Sequence, residues 1–237
     1  MLIAPQNSPA ASDVAANLAQ LRAEVAAAAR DAGRSEDCIT VLAVSKGHEA
    51  TRVRAAAAAG LRHFGESYVD EALPKLQALE ELDLTWHFIG RLQANKTRPI
   101  AEHFDWVHGI DRLKVAERLS AQRPHYAPQL QVCLQVNIAA EVQKAGVDPA
   151  HARELAVAVH ALPRLRLRGL MCILPAGRGA EADLSDFAAL RGLQLSINRQ
   201  GLALDTLSMG MSGDFRTAIA AGSTLIRIGT ALFGPRS

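Results

Sequence analysis

One lysine stands directly after a short apolar run near the beginning of the chain. The run, residues 39–44, is rich in β-branched residues, and Ser45 and Lys46 follow it. Such a run predicts a strand buried on both faces, so Lys46 should point toward the mouth of a barrel or past its rim. Burial lowers the pKa of an ammonium group, and a neutral lysine amine attacks aldehydes to form a Schiff base. An ordinary lysine at the rim is the alternative.

Two glycine-rich segments near the carboxyl end of the chain could hold a phosphate group. Segment 208–215 reads SMGMSGDF and carries Ser212, and segment 222–230 ends in Gly229 and Thr230. Glycines let the backbone approach a ligand closely, and free N–H groups at a helix start bind anions. We expect Ser212 to lie where a helix over about 213–221 begins. A capping role for Ser212 and a turn role for Gly229 are the alternatives.

Arg227 lies inside the apolar run 224–228, where a charge needs a partner or a ligand. Strand alternation places its side chain on the opposite face from Ile226 and Ile228. A structural ion pair is one interpretation. If the side chain instead faces into a barrel beside the phosphate site, it can contact a ring nitrogen or a carboxylate.

The histidines are less informative than the lysine and the arginine. His87, in the segment TWHFIG, either faces the site or is a hydrogen-bonded structural residue. The chain has no HxH or HExxH pattern, so no metal site is predicted. It also lacks the GxGxxG and GxxxxGK[ST] patterns of dinucleotide and P-loop sites.

Short apolar runs alternate with amphipathic segments along the chain. The runs cover residues 39–44, 62–64, 85–89, 105–110, 130–138, 167–173, 204–209 and 224–228. Strands that alternate with helices predict parallel βαβ units, and eight strands close a single (β/α)8 TIM-type barrel of the α/β class. An open doubly wound sheet of six or seven strands is the alternative, because the second and third runs are short.

The predicted barrel has an additional N-terminal helix over about 12–33, ended by Gly33. Residues 1–11 are expected to be a disordered tail, and 12–237 to form one domain. Barrel enzymes carry their chemistry at the carboxyl ends of the strands, which adds Asn137 and Met209 to the candidate site. Later helices are predicted over 148–161, with Asp148 as cap and Pro149 at the first helical position, and over 181–200.

Composition limits the kind of protein. The 237 residues have a net charge of +2 and are 49% hydrophobic, which argues against disorder and against a dedicated nucleic-acid or membrane-surface binder. No apolar run approaches the ~18 to 20 residues of a membrane span, and the first residues do not read as a secretory signal. The three cysteines lack CxxC spacing and are read as free thiols, so a cytoplasmic location is predicted.

A lysine after the first strand, together with phosphate-binding segments after the last two strands, is an arrangement suited to pyridoxal phosphate. From about Val41 to Gly234 the chain resembles the pyridoxal-phosphate homeostasis proteins, which share the barrel of the alanine racemase N-terminal domain. The segments that carry the resemblance are AVSK, HFGESYV, WHFIGRLQANK, DRLKVAERL, QVNIAAEVQKAGV, LRLRGLMCI, LSMGMSGDF and GSTLIRIGTALFG.

The resemblance implies a role for each matching residue. Lys46 would form the Schiff base with pyridoxal 5′-phosphate, and Arg227 would face the pyridine nitrogen. Ser212, Gly229 and Thr230 match the phosphate-binding positions of the family, and Met209 and Met211 match residues that line one wall of its site. Asn137 and His87 are added because of their places along the chain, and they complete the predicted cofactor-binding set. Two departures from the family pattern are Ser67, where the family has asparagine, and Arg91, where it has histidine.

The leading functional hypothesis is a non-catalytic carrier that buffers pyridoxal phosphate and passes it to apo-enzymes, acting as a monomer. Racemases of the related fold have a second β-domain that supplies a tyrosine base, and this chain is expected to lack that domain. Its two tyrosines are Tyr68 and Tyr126. A racemase-like enzyme dependent on pyridoxal phosphate is the second hypothesis. A cofactor-free interaction module that kept the barrel is the third.

Overall fold

The computed structural model describes residues 9–141 and 145–234, with side chains from residue 13 onward. The strands are β1 (Thr40–Val44), β2 (His63–Glu66), β3 (Thr85–Phe88), β4 (Trp106–Ile110), β5 (Leu130–Gln135), β6 (Leu165–Met171), β7 (Thr206–Met211) and β8 (Leu225–Ile228). The helices are α1 (Pro9–Asp31), α2 (Ala50–Ala58), α3 (Val69–Gln77), α4 (Thr97–His103), α5 (Leu113–Gln122), α6 (Ala152–His160), α7 (Ala180–Asn198), α8 (Phe215–Ala220) and α9 (Thr230–Phe233). A 3₁₀ turn covers Glu36–Cys38.

The strands form one closed parallel barrel in the order β1 to β8. The first and last strands pair directly, with Leu42 opposite Arg227 and Ala43 opposite Ile228. The predicted (β/α)8 barrel is therefore confirmed, and the open doubly wound sheet is excluded. The short second and third runs are strands because each finds a partner on both sides.

The main apolar core lies between the outer face of the barrel and the helices. Phe64, Val107, Val132 and Ile226 point outward from their strands and are fully or almost fully buried. The helices meet them with small or branched residues such as Ala56, Ala116, Leu119, Ala156 and Ala218. Small helix residues let each helix approach the strands closely, which explains how a chain with only 4% aromatic residues fills this layer.

Helix α1 packs across α2, α8 and α9 on the outside of the barrel. Val14, Leu18, Leu21 and Val25 recur at helical spacing and form its buried face. Asn17 fixes it further, because its side-chain amide donates to the Leu232 carbonyl at 3.0 Å. The helix begins at Pro9 and so includes residues 9–11, which the sequence analysis placed in the tail. Residues 1–8 lie outside the described part of the chain.

Several predicted boundaries move in the structure. Helix α6 begins at Ala152, because the Asp148 carboxylate accepts from the Ala150 N–H at 2.8 Å and makes a turn before the helix. Helix α8 begins at Phe215 after Asp214, so Ser212 precedes the helix and does not cap it. Strand β5 ends at Gln135, short of the predicted end.

Within the described residues, no helix combines the length and the apolar character that crossing a membrane would require.

Substitution of Gly210 tests how tightly β7 packs on α8. Its φ is +95°, and a Cβ added there would lie 2.7 Å from the Cβ of Ala218. Gly210→Ala should therefore lower the free energy of unfolding by about 2–4 kcal/mol, through backbone strain and overlap together. Urea unfolding followed by circular dichroism measures the loss.

Gly192→Ala is the matched control for this change. Gly192 lies in α7, and an added Cβ would meet nothing within 4 Å. Alanine favours helix over glycine by about 1 kcal/mol, so this variant should be neutral or more stable than the parent. Equal effects of the two substitutions would contradict the packing described for Gly210.

Candidate functional site

A cavity of about 310 Å³ opens at the carboxyl ends of the strands. It lies between the loops that follow β1, β2 and β3 on one side and those that follow β6, β7 and β8 on the other. Its lining consists of Val44, Lys46, His48, Ser67, Ile89, Ile173, Met211, Ser212, Gly213, Arg227, Gly229, Thr230 and Gly234. The size and the mixture of apolar walls with a few polar groups are typical of a small-molecule site.

The structure brings most of the predicted site residues together. The predicted residues that line the cavity are Lys46, Met211, Ser212, Arg227, Gly229 and Thr230. They come from three strand ends, and closure of the barrel between β1 and β8 places the first of them beside the last. The grouping shows that one cavity can offer an amine, a guanidinium and two hydroxyls to the same ligand.

Three predicted binding residues lie elsewhere. Met209 is fully buried in the core between barrel and helices, because the backbone turn at Gly210 breaks the alternation that would place Met209 and Met211 on one face. His87 is fully buried inside the barrel, below the cavity. Asn137 closes a local turn, since its amide donates to the Glu141 carbonyl at 2.8 Å and its oxygen accepts from the Glu141 N–H at 3.2 Å.

The predicted cofactor-binding set left out several lining residues, among them Ser67, which was named only as a departure from the family pattern. Ser67, Ile89 and Ile173 each follow the end of a strand within two residues, so the rule that barrel sites lie at strand ends could have found them. His48 follows the Lys46 turn, and its ring lies 4.9 Å from the ring of Phe233 in α9. That contact joins distant parts of the chain and has no signal in the sequence.

Lys46 is held by a turn whose flanks are fixed from both sides. The Ser45 hydroxyl donates to the carboxylate of Glu66 at 2.6 Å, and the Ser45 carbonyl accepts from the ammonium of Lys75 at 2.9 Å. On the other flank, the Gly47 N–H donates to Glu71 at 2.6 Å. Because the backbone on each side of Lys46 is tied to α3 or β2, the half-buried Lys46 side chain leaves from a fixed position.

The pair of Glu66 and Lys75 is buried. Its N–O distance is 2.6 Å, and the two side chains are 0% and 6% exposed, so water cannot replace either partner. Burial raises the pKa of Glu66, and the nearby Lys75 charge opposes that rise. The second carboxylate oxygen of Glu66 has no hydrogen-bond partner among the described residues. Lys75 is therefore the main group that favours the ionised form of this carboxylate.

Arg227 lies between the barrel interior and the cavity. Its Nη1 donates to the carbonyl and the hydroxyl of Ser208 at 2.6 and 2.8 Å, and its Nη2 donates to the Cys172 carbonyl at 2.8 Å. Burial lowers the pKa of Arg227, opposed by Cys172 and Asp214, yet a guanidinium stays charged in proteins. These contacts are with neutral oxygens, so a structural ion pair, one of the two interpretations of Arg227, is not what holds it.

The segments that follow β7 and β8 contribute Ser212, Gly213, Gly229 and Thr230 to the lining. The segment before α8 is folded into a turn in which the Met211 N–H donates to the Asp214 carboxylate at 2.5 Å. A Cβ at Gly213 would meet nothing within 4 Å, so this backbone is open toward the cavity side. Two hydroxyls and two glycine backbones at the ends of β7 and β8 form the arrangement that holds phosphate in many barrels.

Comparisons with known proteins agree with this geometry. The family model of the alanine racemase N-terminal domain matches residues 16–237. The pyridoxal phosphate homeostasis protein of Pseudomonas aeruginosa is 55% identical over 225 residues, covering 95% of this chain and 96% of the relative. The chain belongs to the pyridoxal phosphate homeostasis protein family. Its member from Escherichia coli is 51% identical over 233 residues, covering 95% of this chain and 97% of the relative.

Solved structures of the family share the fold. PipY of Synechococcus elongatus, solved with pyridoxal phosphate bound, superposes with a TM-score of 0.83 at 41% identity, and the match covers 93% of this chain and all of that one. The same protein solved without the cofactor gives a TM-score of 0.85 at 42% identity. The expected family membership is thus confirmed.

Lys75→Met tests the buried pair that fixes the Lys46 turn. The variant leaves Glu66 buried without its cation, so the free energy of unfolding should fall by about 3–5 kcal/mol at neutral pH. Without Lys75 the folded-state pKa of Glu66 rises further above its ordinary value. The penalty should then be small at acid pH, where Glu66 is protonated in both states, and grow as the pH rises past the ordinary glutamate pKa. Urea unfolding between pH 4 and 8 measures it.

The double variant Lys75→Met with Glu66→Gln is the control. It removes the buried charge, so most of the lost stability should return and the added pH dependence should disappear. A single variant whose penalty is independent of pH would show that Glu66 does not depend on Lys75 for its charge.

Proposed function

We propose that this chain binds pyridoxal 5′-phosphate in the cavity at the carboxyl ends of the strands and carries it reversibly on Lys46, without catalysing turnover. The observation that carries the proposal is the convergence of Lys46, Arg227 and the pair Ser212 and Thr230 on one cavity. The binding of this cofactor by PipY, a family member at 41% identity, supports it.

The residues present fit the cofactor. When bound, pyridoxal phosphate supplies an aldehyde carbon that a lysine amine attacks to form a Schiff base, with loss of water. Lys46 supplies the amine from its fixed turn. Ser212 and Thr230, with the backbones of Gly213 and Gly229, supply hydrogen-bond donors for the phosphate, and Ile173 and Met211 provide apolar surface at the rim.

The role of Arg227 favours a carrier over a catalyst. A guanidinium can only donate hydrogen bonds, so Arg227 would meet a pyridine nitrogen as a donor and leave that nitrogen unprotonated. An unprotonated ring withdraws electrons less strongly than a protonated one, which disfavours carbanion chemistry. The carbonyls of Ser208 and Cys172 hold the guanidinium without neutralising it.

The access to the cavity suits exchange of the cofactor. Ile173 and Met211 at its rim are 39% and 36% exposed, and Thr230 is exposed as well. A ligand bound through one reversible covalent bond beneath an open rim can be released to an apo-enzyme. Transfer to apo-enzymes, a monomeric state and a cytoplasmic location belong to this proposal.

One observation favours a racemase-like activity as the second candidate. His48 lines the cavity together with Lys46, so two groups able to hold a proton face the same space. Tyr68 and Tyr126 are 65% and 92% exposed and do not line the cavity. A racemase here would therefore have to use His48 in place of a tyrosine.

Visible absorption spectroscopy tests the site on Lys46. The protein mixed with pyridoxal phosphate should show a Schiff-base band that borohydride removes while fixing the ligand to Lys46, as located by peptide mass spectrometry. Lys46→Ala should lose the band. Lys114→Ala, at an exposed position in α5, should keep it. A wild-type protein that stays colourless would overturn the proposal.

Chiral chromatography tests the absence of turnover. Protein loaded with pyridoxal phosphate and incubated with L-alanine or L-serine should leave optical purity unchanged, or change it far more slowly than the ~10 s⁻¹ typical of enzymes. Racemisation at enzyme-like rates that His48→Gln abolishes would establish the second candidate instead. His151→Gln, at an exposed position, controls for the loss of a histidine as such.

A further inference from the structure

A continuous chain of hydrogen bonds crosses the interior of the barrel. His63 Nδ1 lies 3.0 Å from His87 Nε2, and His87 Nδ1 lies 2.9 Å from His108 Nε2. His108 Nδ1 then lies 2.8 Å from the hydroxyl of Ser208, which accepts from Arg227 at 2.8 Å. The three histidines come from consecutive strands, β2, β3 and β4, and the chain ends at the guanidinium that lines the cavity.

The charge of Arg227 fixes the direction of every bond in this chain. A guanidinium has no acceptor, so the Ser208 oxygen must accept from it. Among the described residues the Ser208 hydroxyl has only His108 Nδ1 as an acceptor, so it donates there. His108 then carries its proton on Nε2 and donates to His87, which in the same way donates to His63. Each imidazole is therefore assigned the neutral Nε2–H form.

The surroundings favour the neutral form of all three imidazoles. Burial lowers the pKa of His108 to about 3, assisted by the charge of Arg227, and lowers the pKa of His87 well below its usual range. Burial also lowers the pKa of His63, which Asp105 partly opposes. A protonated imidazole in the chain would reverse its direction and bring a like charge toward Arg227.

The two ends of this chain of hydrogen bonds lie at opposite faces of the barrel. Arg227 lines the cofactor cavity, whereas half-buried His63 lines a second cavity of about 410 Å³ at the amino ends of the strands. Three of the five N–H groups of Arg227 donate to the Ser208 carbonyl, the Ser208 hydroxyl and the Cys172 carbonyl. The other two, one on Nε and one on Nη2, have no hydrogen-bond partner among the described residues, and Arg227 lines the cavity.

We propose that His63, His87, His108 and Ser208 are positioning residues that hold the guanidinium of Arg227 toward the ring nitrogen of a bound cofactor through one directed chain of hydrogen bonds. The ring-nitrogen part of this inference rests on the proposed function. The tautomer part concerns the protein alone. A polar chain in this place explains why the interior of the barrel holds buried histidines instead of the branched apolar residues usual there.

Nitrogen NMR of histidine-labelled protein without cofactor tests the tautomers. At pH 8, His63, His87 and His108 should each show a pyrrole-type Nε2 and a pyridine-type Nδ1. The exposed His151 and His160 should show signals averaged over the two neutral tautomers, and they serve as internal references. A protonated Nδ1 on His108 in the wild-type protein would overturn the directed chain without requiring any variant.

Ser208→Ala tests the link between the histidines and Arg227. The Kd for pyridoxal phosphate should rise by about threefold to tenfold, as expected for one lost hydrogen bond. The Kd for the analogue with CH in place of the ring nitrogen should not change, because Arg227 then has no ring acceptor. Ser208→Thr, which keeps the hydroxyl, should restore the Kd, and Ser185→Ala on the exposed face of α7 should leave it unchanged.

The outcomes separate the two proposals. If the wild-type protein forms no absorbing complex with pyridoxal phosphate, the proposed function fails. The NMR result alone then decides whether the hydrogen bonds from Arg227 to His63 all run in one direction. If the complex forms but Ser208→Ala weakens both ligands equally or neither, the positioning role fails and the carrier function stands.

Discussion

Pairing of the first strand with the last is the constraint on which the site depends. Lys46 follows β1, while Arg227, Gly229 and Thr230 belong to or follow β8. They share one cavity because Leu42 lies opposite Arg227 and Ala43 lies opposite Ile228 across the closing seam. The hydrogen bonds of that seam remove the two edges an open sheet would have. They also bring Lys46 beside Gly229 and Thr230, so closure of the barrel places these residues in one cavity.

Two sets of buried polar groups support the site from below and from the side. Glu66 and Lys75 fix the Lys46 turn, and the histidine chain with Ser208 supports Arg227. Buried polar groups are costly unless they are paired, so each set restricts its members to one arrangement. The floor of the cavity is therefore rigid, while its rim of Ile173 and Met211 is open. A rigid floor under an open rim suits a protein that binds and releases a small ligand.

Much of the molecule followed from sequence patterns. Alternating strand and helix segments predicted the barrel, because buried parallel strands read as short apolar runs with β-branched residues. The segments around Lys46, Ser212 and Gly229 predicted most of the polar lining, because barrel sites lie at strand ends. Helix ends were less predictable. Asp148 and Ser212 resemble caps in sequence, yet Asp148 forms a turn before α6 and Asp214 takes the position before α8.

The sequence by itself determined the alternation of elements, the strand ends and the residue types that could bind an aldehyde and a phosphate. Only the tertiary structure decided which of those residues meet. Met209 and Met211 have the same strand parity, but the positive φ of Gly210 sends one to the core and the other to the cavity. His87 faces inward, and whether an inward residue reaches the cavity depends on its height along the strand. Height follows from barrel stagger, which arises from strand pairing around the whole ring and not from any local stretch of sequence.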